Sequence, residues 1–182
     1  MKIFIIFFLL LYIFIVPQAN NVYAENATES GKIEYDFAYP GILPDHPAYK
    51  IKVLRDKVME RFTSDPEKKI SFYLLQGDKG ILAASMLVDK NNFALAKETA
   101  LKAENNLTLI NFLLKDSDRK LKPQTFDKIK TASLKHQEVL RDIIKRVPSN
   151  EQKTFKTVLY FSETNLKSLN DLQNKKSKAK TF

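Results

Sequence analysis

Two histidines are the residues of this 182-residue chain best suited to acid–base or metal chemistry. His46 follows Asp45 in a proline-rich stretch, and His136 stands inside a helical pattern. With a carboxylate, two imidazoles would make a zinc-binding set if the fold brought them together. Their spacing gives no support, since neither lies in an H-x-x-x-H or H-E-x-x-H pattern and no methionine cluster suggests copper. The reading adopted is a core histidine at 136 with one hydrogen-bonded ring nitrogen, and a capping or turn residue at 46. No nucleophile stands out. The chain has no cysteine, no G-x-S-x-G elbow and no glycine loop ending in Lys-Ser/Thr. Its acids alternate with lysines, as in Asp65, Glu67, Lys68 and Lys69, the pattern of a solvated helix face. No catalytic residue and no cofactor is assigned.

Helices must position whatever these residues do. Ala, Leu, Lys and Glu dominate the middle of the chain, and four glycines with no tryptophan argue against a turn-rich β fold. The segment from Tyr39 to Pro47, dense in proline, predicts an ordered non-helical stretch with Ile42 and Leu43 laid against a bundle. Asp45 or His46 would cap a first helix over 47–62, carrying Ile51, Leu54, Val58 and Phe62 on one stripe. Ser64 or Asp65 would cap a second, with Ile70, Leu74, Gly77, Ile81, Ala84 and Val88 stepping 4-3-4-3-4. The third carries Phe93, Ala96, Ala100, Ala103, Leu107, Ile110 and Leu114, a heptad seam with a thin alanine half. Pro123 opens a fourth, burying Phe126, Ile129, Ala132, His136, Val139, Ile143 and Val147. Ser149 caps a fifth, showing Phe155, Leu159, Ser162, Leu166, Leu169 and Leu172. No alternating strand pattern competes. The fold class is all-α: an up-and-down antiparallel bundle of about five helices over 39–174, with a Pro-rich N-terminal segment. Gly77 and Gly80 lie inside the second helix, where each costs about 1 kcal/mol relative to Ala. A close helix crossing or a local kink accounts for them, with a backbone-exposed binding notch as the functional alternative.

The two ends speak to location. Lys2, the apolar run from Ile3 to Val16, Pro17 and the exit Val22-Tyr23-Ala24 make a secretory signal peptide over 1–24. Its fourteen apolar residues would span about 21 Å as a helix, short of the roughly 30 Å hydrocarbon core. The mature chain would begin at Glu25 and work outside the cytoplasm, with 25–38 a flexible lead-in; a retained anchor is the alternative. The formal charge is +9. Without Lys2 it is +8, and Lys175, Lys176, Lys178 and Lys180 supply four of those charges in the tail over 175–182. That tail is read as disordered and solvated, or as a polybasic arm that contacts anionic envelope polymers. Aromatic residues do not interleave with its lysines, so specific nucleic-acid binding is not expected.

Two segments resemble a known family. One runs from Tyr39-Pro40-Gly41-Ile42-Leu43-Pro44-Asp45-His46-Pro47 through Tyr49 and Lys50 to Phe62-Thr63-Ser64-Asp65-Pro66. The other is His136-Gln137-Glu138-Val139-Leu140, ending at Val147-Pro148. Both look like the uncharacterised bacterial family called domain of unknown function 5667. The resemblance implies an extracytoplasmic, all-helical bacterial domain, with no established activity and no catalytic residues to carry over. The chain departs from the family where Gly77, Gly80, Ile81 and Ala84 replace a more charged stretch.

Function is therefore an expectation of class. The chain reads as a non-enzymatic secreted or cell-envelope helical module, binding or structural, with another envelope protein or an anionic envelope polymer as partner. Tyr39, Ile42, Leu43 and Tyr49 are the candidate partner surface, because a short segment cannot bury all four; a clasp over the helix ends is their structural alternative. The competing functional class is a metal-binding or stress-sensing bundle. An enzyme using an unrecognised carboxylate pair is the third.

Overall fold

Helix starts and stops follow local chemistry closely. In the computed structural model, which describes residues 33–116 and 122–178 (176–178 as backbone alone), five helices succeed one another. They are α1 Tyr49–Phe62, α2 Pro66–Asp89, α3 Phe93–Asp116, α4 Pro123–Arg146 and α5 Gln152–Lys178. A 3-10 turn, Ser149–Glu151, precedes α5, and no strand occurs among the described residues. The Asp65 side chain accepts the Lys68 N–H at 2.9 Å, with Pro66 in the first turn of α2, an N-cap of the expected kind. After α2, Asn91 adopts a left-handed φ of 56°. Asn92 N–H then reaches Leu87 O and Asn91 N–H reaches Val88 O, both at 2.9 Å. This is a Schellman ending, with asparagine in the place glycine usually takes. Val147, extended before Pro148, ends α4 as a residue preceding proline should.

The four long helices pack as a square. α2 lies against α3 and α4, and α5 lies against α3 and α4. The core divides into two apolar clusters. One joins Ile81, Leu87 and Val88 to Ala96, Ala100, Leu140, Ile143, Phe155 and Val158. The other joins Ile70 and Leu74 to Leu107, Ile110, Phe126, Ile129 and Leu169. Each cluster takes the end of one helix and the start of the next, so the chain runs up and down alternately. The all-α bundle expected from the periodicity is the observed fold, and the stripes of α2, α3 and α4 supply most of its buried side chains. The glycines mark the close crossing of α2 on α3. A Cβ at Gly80 would come within 2.8 Å of Ala103 Cβ and 3.2 Å of Ala103 Cα.

Five expectations need correction, the first being that Ser149 opens the 3-10 turn and does not cap α5. The stripe of α1 faces solvent: Ile51 is 68% exposed, Leu54 65% and Phe62 81%, and α1 buries no residue fully. That helix starts at Tyr49, and neither Asp45 nor His46 caps it; Ala48 is its N-cap and makes no side-chain cap bond. Residues 33–38, read as part of a flexible lead-in, pack on the bundle through Tyr35 and Phe37. The helix α5 continues through 175–178, where a disordered tail was expected. The expected signal segment over 1–24 and the last basic residue, Lys180, lie outside the described residues.

Gly80→Ala tests the crossing. Its gain in helix propensity is about 1 kcal/mol, but the new methyl meets the backbone of Ala103, and overpacking costs roughly 1–3 kcal/mol. Thermal unfolding should show a lower Tm for Gly80→Ala; a raised Tm would mean that α2 and α3 are free to separate.

Candidate functional site

Between the two apolar clusters lies a layer of polar side chains drawn from all four long helices. Asp78 of α2, Glu104 of α3, Ser133, His136 and Gln137 of α4, and Ser162 of α5 are all buried. The spacing explains how they come inside. Leu74–Asp78–Ile81, Ala100–Glu104–Leu107 and Ala132–His136–Val139 each step four then three, so each polar residue stands within an apolar stripe. That spacing is the sequence signal that sets Asp78 and Glu104 apart from the solvated acids.

His136 is the centre of the layer and has no exposed surface. Its Nδ1 faces Glu104 Oε1 at 2.7 Å and its Nε2 faces Asp78 Oδ1 at 3.0 Å. Both ring nitrogens are thus occupied, where one was expected. Carboxylates only accept, so the imidazolium form, with two N–H donors, satisfies both contacts at once. Burial by itself would lower the imidazole pKa. The charge of Glu104 and the hydrogen bonds to Asp78 and Glu104 outweigh it and raise the pKa to about 9. The N-terminal segment closes the layer: Tyr35 donates its hydroxyl to Asp78 Oδ2 at 2.6 Å, and the Phe37 ring lies 5.4 Å from the His136 ring. Gly77 gives the imidazole room, since a Cβ there would sit 3.3 Å from His136 Cε1. Glu104 Oε2, Gln137 Nε2 and Ser162 Oγ are buried with no hydrogen-bond partner among the described residues.

The histidines do not form a joint metal site. His46 is exposed in the turn before α1, where its Nδ1 accepts the Ala48 N–H at 3.1 Å. His136 is enclosed, with each nitrogen on a different carboxylate. Among the described residues no group of three or more His, Asp and Glu has the arrangement to hold a metal ion. Asp45 instead pairs with Lys90 Nζ at 2.7 Å.

The four residues of the candidate partner surface part company. Leu43 is buried and Tyr49 half-buried, while Tyr39 is 69% and Ile42 44% exposed. Lys52 Nζ holds the segment in place by donating to Pro40 O at 2.7 Å and Ile42 O at 3.3 Å. A cleft of about 370 Å³ separates His46, Tyr49 and Lys50 from Leu95, Glu98 and Lys102 of α3. Of the basic tail, Lys175 is exposed on α5; Lys176 and Lys178 are placed by their backbone alone, and Lys180 is not described.

The half-buried side of α1 is mixed, with Tyr49 and Val53 beside Lys52, Asp56 and Glu60. Glu60 accepts the Tyr73 hydroxyl at 2.6 Å; burial first, and then this bond and the Glu60 charge, raise the Tyr73 pKa to about 12. The side chain of Asp56 is 14% exposed and pairs with Arg55. Ile51, Leu54, Val58, Met59 and Phe62 are exposed. No helix among the described residues is long and apolar enough to cross a membrane.

His136 gives a prediction with a definite sign. Its pKa is raised from 6.5 to about 9 by folding, so its contribution is complete below about pH 6.5 and is lost as pH rises through 9. Denaturant unfolding at pH 6 and pH 9 should therefore give the larger stability at pH 6; a difference of the opposite sign would contradict the imidazolium assignment. His136→Ala leaves two carboxylates buried without a cation and should cost about 3–5 kcal/mol.

No curated protein and no solved structure matches the chain. A family profile, described as Domain of unknown function (DUF5667), matches residues 41–150, from the glycine of the Pro-rich segment to the turn before α5. That span takes in α1 to α4 with Asp78, Glu104 and His136, and the chain belongs to this family.

Proposed function

We propose that this chain is a non-enzymatic helical binding module working outside the cytoplasm, and that α1 is its docking element. One observation carries the reading: the apolar stripe Ile51, Leu54, Val58 and Phe62 of α1 faces solvent, while its half-buried side is the mixed set Tyr49, Lys52, Val53, Asp56 and Glu60. A helix kept only for the fold buries that stripe. Single exposed apolar residues are ordinary on protein surfaces, but a contiguous apolar ridge is the mark of an interaction surface. Tyr39 and Ile42, exposed on the segment that Lys52 ties to α1, extend the candidate surface. The leader-like pattern over 1–24 supports the location. The buried polar layer is assigned to holding the bundle together, since His136 has no open face for a ligand.

A photoreactive residue at position 54 tests this in intact envelopes. It should form adducts well above those from the same residue at position 153, an exposed site on α5. Equal background at the two positions would contradict a docking role for α1.

A further inference from the structure

We propose that the apolar ridge of α1 seats on an anionic lipid surface, with the helix lying in the plane of the bilayer interface. This rests on α1 being the docking element and names its partner. At about 100° per residue, Ile51, Leu54, Val58 and Phe62 fall within about 80° of the helix circumference. Lys50, Lys57 and Arg61 form the adjoining strip, and Arg55 borders the other side. Lys50, Lys57 and Arg61 are exposed and have no carboxylate within ion-pair distance among the described residues. The two acids of α1, Asp56 and Glu60, are turned away from the ridge, one pairing with Arg55 and the other accepting from Tyr73.

The charge distribution selects the partner. A second copy docking ridge to ridge would place cationic rims together, with no exposed acid on α1 to relieve them. An anionic surface meets the same rims favourably. The exposure agrees, because the half-buried residues Tyr49, Lys52, Val53, Asp56 and Glu60 lie on the side of α1 opposite the ridge, whose four apolar side chains are all exposed. A planar surface can reach all four apolar side chains, as an interfacial helix requires when its apolar face sinks about 5–10 Å. At fourteen residues, α1 is about 21 Å long, so it lies on a bilayer and does not span it.

Both core clusters, with the side chains packed against them, fall within residues 35–172, so the chain from Glu25 to Phe182 keeps the whole fold. That chain should sediment with vesicles of phosphatidylglycerol and phosphatidylcholine, about tenfold or more tightly than with phosphatidylcholine alone. Leu54→Glu with Val58→Glu should lower that binding at least about tenfold and leave Tm unchanged, both residues being exposed. Lys50→Gln, Lys57→Gln and Arg61→Gln together should remove the preference for phosphatidylglycerol. No sedimentation would overturn the proposal, as would full binding by the Leu54→Glu, Val58→Glu variant, which would place contact in the basic tail. A dimer that this variant breaks would overturn it in favour of a second copy. If vesicles are not bound while position 54 still crosslinks to a protein, the lipid assignment fails and the docking role of α1 stands.

Discussion

The imidazole of His136, held between two carboxylates, is the interaction on which the rest of the structure depends. It joins α4 to α2 and α3 in one contact set, and Tyr35 extends that set to the N-terminal segment through Asp78. Apolar packing is non-directional, so it specifies alignment less sharply than a directed contact does. A cation with two directed N–H groups cannot slide. Moving α4 by one turn would leave Asp78 and Glu104 buried without their partner, a loss far larger than any gain from repacking. The layer thus exchanges some hydrophobic stability for a single alignment of three helices.

The neighbouring residues make sense as supports for that contact. Gly77 clears space for the imidazole, and Gly80 lets α3 approach α2 closely enough for Glu104 to reach it. The alanines of the α3 seam serve the same approach. On the far side, Asn165 of α5 accepts from Thr108, and its carbonyl accepts from Asn111 at 2.9 Å. α3 is therefore held by polar contacts on two faces. The N-terminal segment is a working part of this assembly, since Phe37 covers the histidine and Tyr35 caps one of its carboxylates. Because the bundle is complete without the stripe of α1, that helix is free to present its apolar side outward.

Much of the fold was legible because its signals are local. Asp65 with Pro66, Pro123, and Val147 before Pro148 punctuate the helices as written, and the 4-3 steps of α2, α3 and α4 identify their buried faces. Two things were not legible. A stripe such as Ile51, Leu54, Val58 and Phe62 says that one side of a helix is apolar, but not which side meets the protein. That choice was made by contacts outside the helix itself, Glu60 with Tyr73 and Lys52 with the carbonyls of Pro40 and Ile42. The partners of His136 were hidden for a different reason. Asp78 and Glu104 look like the solvated acids around them until their place in the apolar stripe is counted.

The protonation state of His136 is the centre of this account, and nitrogen-15 NMR of its imidazole reads it directly. At pH 7 both Nδ1 and Nε2 should carry protons, with the two nitrogen shifts close together, as in an imidazolium. Two widely separated shifts at pH 7, one from a bare ring nitrogen, would contradict the account and leave one of the buried carboxylates without its donor.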